Sequence, residues 1–193
     1  MKKKCCLFIG LLLTFSHSFA QLTDAELPAI SLKNHDTFFI PSGVIQKYKL
    51  EASKNDDWMK VYNKKKNTKT FIQRVNDIRW QAKDQLAALA WYIANSKMLN
   101  EDAKDISDKL PKPAGVAAWN VYEANDEMKK LMESLDVKQN QYTFTFVVDK
   151  YVAKIFVGID NDKTISDAWI FAKEGLKATL KAAGKPKQAA LVL

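Results

Sequence analysis

Apolar residues along this chain recur with two different periods, and the switch between them falls near residue 140. Before it, spacings of three and four dominate. Phe71, Val75, Ile78, Ala82, Leu86, Leu89 and Ile93 share one helical face and predict a helix over Phe71–Leu99, opened by Thr70-x-x-Gln73 at capping-box spacing. Trp80, Ala87 and Trp91 fall on the opposite side of that helix, so it is expected to lie between two neighbours, its tryptophans in the core or on a sugar- or lipid-facing surface. A second stripe, Val121, Ala124, Met128, Leu131, Met132 and Leu135, predicts a helix over Ala114–Leu135, behind a polar linker from Asn100 to Pro113. An earlier helical stretch, Val44–Asn63, is expected to break at the polar cluster Ser53–Asp57.

After residue 140 the period becomes two. Tyr142, Phe144, Phe146 and Val148 alternate with Thr143, Thr145 and Val147, and Tyr151–Ile159 supplies a second strand. Asp149-Lys150 joins them without glycine, which predicts a looser turn than a tight hairpin uses. Thr37–Ile40 is a short β-like run that offers a third, edge strand. A last amphipathic helix is predicted over Ile165–Ala183, stopped by Gly184 and Pro186, with an apolar tail at Ala189–Leu193. The expected fold is α+β and mainly helical: an antiparallel helix-bundle layer, a C-terminal β-hairpin and the final helix. Within one domain over 21–193, residues 42–135 form the helical part, 141–183 the hairpin plus helix, and 184–193 the tail.

The beginning of the chain has a different character. Lys2, Lys3 and Lys4 precede an apolar run from Leu7 to Phe15 and a small-x-small end at Ser18-Phe19-Ala20, which reads as a bacterial export signal over 1–20. The run is roughly half the ~20 apolar residues that span a bilayer, so cleavage before Gln21 is expected over anchoring, and a periplasmic or secreted address without a transmembrane segment follows. Cleavage would remove Cys5, Cys6 and His17, leaving a cysteine-free chain with His35 alone. Disulfides, thiolate chemistry and His-cluster metal sites are then excluded, and no cofactor is expected. Three of the basic residues also leave, which lowers the net charge from +8 to an excess of five. That is too little for a dedicated nucleic-acid binder and suits an anionic lipid headgroup, a glycan or an acidic protein surface.

The lysines carry the candidate site. Lys64, Lys65 and Lys66, with Lys69 close by, form one cluster, and Lys173, Lys177 and Lys181 line one side of the last helix, continued by Lys185 and Lys187.

Other motifs suggest chemistry. Lys154-Ile-Phe-Val-Gly-Ile-Asp160-Asn-Asp162-Lys-Thr164 resembles the first motif of haloacid-dehalogenase-type phosphatases, a resemblance of about eleven residues. It implies Asp160 as phosphoryl acceptor and Asp162 as acid/base, in an α/β domain that continues well beyond the motif. Here one helix and a tail follow, and Thr164 with Asp167 alternatively caps that helix. The same stretch is no EF-hand, because Ile165 replaces the turn glycine and Phe171 the bidentate glutamate; a looser cation site is the remaining version. His35-Asp36 reads as a polar turn, with no nucleophile elbow to accompany it. Two carboxylates suffice for glycoside hydrolysis, and Asp56-Asp57 beside Trp58, or Glu123 with Glu127 near Lys130, are the candidate pairs. The favoured expectation is a non-enzymatic exported binding protein with no catalytic or metal residues. The alternatives are a small carboxylate hydrolase and an adaptor that recruits a protein through its tail.

Overall fold

A computed structural model describes residues 38–98 and 103–192. The expected export signal over 1–20, with Cys5, Cys6 and His17, and also His35 and Thr37, lie outside the described residues. The described chain belongs to a single compact unit, Ser31–Leu193. Its centre is one antiparallel sheet of seven strands. A short helix α1 (Ser42–Lys47) leads into β1 (Leu50–Asn55), β2 (Met59–Lys64) and β3 (Ile72–Gln81). Helix α2 (Gln85–Met98) precedes β4 (Ala103–Asp105), a 3₁₀ turn at Ser107–Lys109, and β5 (Ala118–Ala124). Then follow α3 (Asp126–Ser134), β6 (Gln139–Val148), β7 (Tyr151–Asp160), α4 (Ile165–Ala182) and α5 (Pro186–Ala190). The strand order is β1-β2-β3-β7-β6-β5-β4, so β3 pairs with the last strand. Among the described residues no helix is long and apolar enough to cross a membrane.

This overturns the expected helix-bundle layer: the fold is dominated by its sheet. The predicted helix Phe71–Leu99 is a ten-residue strand followed by a helix of 14 residues. Its three-and-four spacing was a coincidence of two strand faces. Val75 points to one face and Ile78 to the other, while the positions that follow Val75 on its own face hold Asp77 and Arg79, which hides the alternation. Thr70-x-x-Gln73 caps no helix, since Gln73 lies within β3. Val44–Asn63 is likewise α1 plus a hairpin. There Lys49 reverses the chain at φ 55°, and Asp56 in the hairpin turn donates its amide to the Met59 carbonyl at 2.9 Å. Ala114–Leu135 divides at Asn125, whose side-chain oxygen accepts from the Met128 amide at 2.8 Å and caps α3. Phe38–Ile40 forms a turn and bend, so no third strand is added there.

The C-terminal third follows its pattern closely. Tyr142, Phe144, Phe146 and Val148 of β6 and Ala153, Ile155, Val157 and Ile159 of β7 are buried on one face against α4. The turn between the strands is tight, contrary to the looser one expected: Val148 pairs with Tyr151, and Asp149 adopts φ 54°, which aspartate tolerates better than most residues. Helix α4 opens with a Thr164–Asp167 capping box. It closes in a Schellman arrangement, with the Gly184 amide on the Lys181 carbonyl at 3.0 Å and the Lys185 amide on the Leu180 carbonyl at 2.8 Å. Gly184 has φ 72°, the conformation this cap requires. The tail docks: Ala189 and Val192 are buried in the main core, and Leu191 is exposed.

The sheet has a helix on each face. α4 covers the face just described, while Ala88 and Trp91 of α2 pack on the other, over Trp80, Val147 and Val152.

Candidate functional site

Two polar features interrupt the packed faces, and neither was singled out from the sequence. The first is an ion pair under α4. Asp77 and Arg79, two residues apart on β3, point to the same face and are fully buried with Arg79 Nη2 2.7 Å from Asp77 Oδ1. The other Asp77 oxygen accepts the Ile40 amide at 2.7 Å. Arg79 Nη1 donates to the Thr179 hydroxyl at 3.1 Å, and that hydroxyl donates to the Gly175 carbonyl at 2.8 Å. Phe39 lies over the guanidinium, with the Lys60 ammonium 4.5 Å from its ring centre. Burial pushes the Asp77 carboxyl above its ordinary range, against the pull of Arg79 and the Ile40 amide. Burial also lowers Arg79, opposed by the Asp77 charge. With every approach filled, this pair fastens β3, α4 and the 38–40 segment together.

The second is a row of side chains on the face opposite α4. Cross-strand pairing sets Asn120 beside Thr145, Thr145 beside Lys154, Lys154 beside Ile78, and Ile78 beside Met59. Asn120, Thr145 and Lys154 are all buried. Asn120 Nδ2 lies 3.4 Å from the Tyr122 hydroxyl. Removal from water lowers the Lys154 ammonium from the usual lysine value to about 7.

The predicted lysines lie elsewhere, on the outside. Lys64 ends β2, and Lys65 and Lys66 are exposed in the connection to β3. The Lys65 amide donates to the Lys49 carbonyl at 3.0 Å, so the reversal after α1 brings Lys47 and Lys49 to the same end of the sheet. Among the described residues none of Lys47, Lys49, Lys64, Lys65, Lys66 and Lys69 forms an ion pair. Lys173, Lys177 and Lys181 occupy the outer side of α4, away from its buried Phe171, Ala172, Gly175, Leu176 and Thr179. Lys177 is engaged with Glu174 at 3.1 Å.

Of the two acid pairs, Asp56 and Asp57 stay together in one turn, while Glu123 and Glu127 fall on different elements. Asp56 bonds Lys54 at 2.8 Å in the β1–β2 turn. Glu123 is on β5, held by Lys109 and Lys129 at 3.4 and 3.2 Å, while Glu127 is exposed on α3. Asp160 accepts a hydrogen bond from Gln73, and Asp162 pairs with Lys163 at 3.3 Å. The strand bearing the phosphatase-like motif lies antiparallel to both its neighbours, and the Thr164–Asp167 box accounts for its polar end. No group of three acids or histidines suited to a metal ion occurs among the described residues. Trp80 and Trp91 are not two stations along one helix: one is on β3, the other on α2, with ring centres 4.3 Å apart. Comparison with protein-family models, curated proteins and solved structures found no match for this chain.

Proposed function

We propose that this protein is a non-enzymatic binding protein that docks on a polyanionic surface through the lysine-rich end of its sheet. The observation that carries the reading is the convergence of Lys47 and Lys49 with Lys64, Lys65 and Lys66 through the Lys65–Lys49 backbone bond. Cations on a single exposed end, with no carboxylate paired to them among the described residues, favour a broad anionic partner over a small ligand that needs directional contacts. The outer side of α4 is the weaker half of the expected surface, because Glu174 already satisfies Lys177.

Co-sedimentation with phosphatidylglycerol vesicles, phosphatidylcholine vesicles and heparin beads, each at low and high salt, tests this. Binding to the anionic supports that falls with salt is expected. Each lysine near an anionic membrane contributes about 1 kcal/mol, so Lys64→Glu, Lys65→Glu and Lys66→Glu together should weaken it about a hundredfold. Preference between vesicles and heparin separates a lipid from a glycan. Absence of binding to both, or binding untouched by the triple reversal, refutes the proposal.

A further inference from the structure

We propose that α2 seats on a lipid bilayer, with Leu86, Ala90, Ile93 and Ala94 among the acyl chains just beneath anionic headgroups. This contact is separate from the lysine-rich end. α2 follows the Gln81 end of β3 and the lysines precede its Ile72 end, about 30 Å away along the strand.

The composition of α2 is at odds with its position. In a chain with 27 % charged residues, Gln85 to Ser96 carries none, and Leu86 to Ala94 holds only aliphatic and aromatic side chains. A helix apolar all round belongs in an interior. α2 has one on a single side, where Ala88 is buried and Trp91 packs over Trp80, Val147 and Val152. On the other side Leu86 is 77 % and Ile93 54 % exposed, and Ala90 and Ala94 complete an exposed stripe at helical spacing.

Size and charge choose the occupant. From Leu86 to Ala94 the stripe is about 12 Å long on a helix about 10 Å across, far short of the roughly 800 Å² per partner that a stable dimer buries. A bilayer needs no matching partner surface, and it holds a helix lying in its interface through the apolar side chains it takes up. The charges at the ends of α2 complement anionic headgroups. Lys83 stands exposed just before the helix, and Lys97 lies in its last turn. The adjacent acid, Asp84, is engaged as a cap, its Oδ1 accepting the Ala87 amide at 2.8 Å.

The experiment adds mixed phosphatidylcholine–phosphatidylglycerol vesicles in high salt, where the lysine-rich end is screened. Leu86→Trp should add emission that shifts to the blue and is quenched by lipids brominated on their acyl chains. Glu51→Trp, on the exposed edge strand β1, should add emission that the vesicles leave unchanged. Leu86→Ser with Ile93→Ser should weaken vesicle binding at least tenfold, since each buried aliphatic side chain contributes strongly to it. The triple reversal at Lys64, Lys65 and Lys66 should retain this high-salt binding within about twofold. Far-UV circular dichroism checks that each variant is folded, and if the double variant fails to fold, a severalfold loss in Leu86→Ser alone decides. No binding in high salt overturns the proposal, even where low-salt binding through the lysines persists. An unquenched Leu86→Trp, or equal binding by the folded serine variant, overturns it too. Self-association without lipid that the serine changes abolish would assign the face to a second copy and likewise overturn it.

Discussion

The Arg79 guanidinium on β3 and the Thr179 hydroxyl on α4 meet at 3.1 Å across the interface between sheet and helix, with Asp77 holding the other side of the arginine. A cation and an anion have been taken out of water together. Either one left alone would be an uncompensated buried charge. Asp77→Asn or Arg79→Met should therefore destabilise the fold by about 3–5 kcal/mol, read from urea denaturation. The double variant Asp77→Leu/Arg79→Met should lose less than the sum of the single changes. Additive losses would show that the pair does not act as a unit.

Gly175 is where α4 comes closest to this pair. A Cβ there would stand 2.2 Å from Ile155 Cδ1 and 2.6 Å from Arg79 Nη2. Gly175→Ala should cost about 1–3 kcal/mol through displaced packing, despite the better helix propensity of alanine. At Gly184 there is open space, and the backbone at φ 72° is the only obstacle, so Gly184→Ala should cost about 1 kcal/mol. Thermal unfolding of the two variants distinguishes a steric origin from a conformational one. Equal losses would contradict this account.

Lys154 sets a pH dependence whose sign follows from its lowered value. Its folded-state pKa is about 7 against an ordinary lysine near 10.5, so between these values the unfolded chain binds more protons than the folded one. Its contribution to stability then rises with pH across that window and is smallest below pH ~7, where both states are charged. Lys154→Met should remove this rise and stabilise the fold at pH ~6. Denaturation midpoints for both proteins across that window are the check, and parallel profiles would contradict it.

Trp91 and Leu86 on α2 offer a contrast within one helix. Trp91 packs against Trp80 at a tilt, its ring centre 4.3 Å away, while Leu86 is 77 % exposed. Trp91→Ala should cost about 3–5 kcal/mol, and Leu86→Ser should stay within about 0.5 kcal/mol. A large loss at Leu86 would mean that something packs on the outside of α2.

The strands β6 and β7 were legible because apolar residues fill their core-facing positions from Tyr142 to Val148 and from Tyr151 to Ile159, and α4 because its stripe has both a capping box and a glycine stop. β3 was illegible for the opposite reason, since Asp77 and Arg79 face the core and break the period that marks a half-buried strand. β1 lies at the edge of the sheet with five of six residues exposed, so burial leaves no alternating mark on its sequence. A lysine within a strand normally signals solvent. Lys154 is buried because of what surrounds its face, which its own sequence neighbours do not encode. Lys64, Lys65 and Lys66 were visible as a run, whereas Lys47 and Lys49 join them only through the reversal at Lys49.

The pairing of β3 with β7 also orders events in time. Gln73 and Asp160 are 87 residues apart in the chain yet hydrogen-bonded. Until β7 is available, β1–β3 and β4–β6 are separate antiparallel fragments with unmatched inner edges. The last strand joins them, and only then does α4 have a continuous surface to cover. Such non-local closure makes for slow folding, and a chain cut short before Tyr151 would keep two exposed edges prone to pairing with other chains.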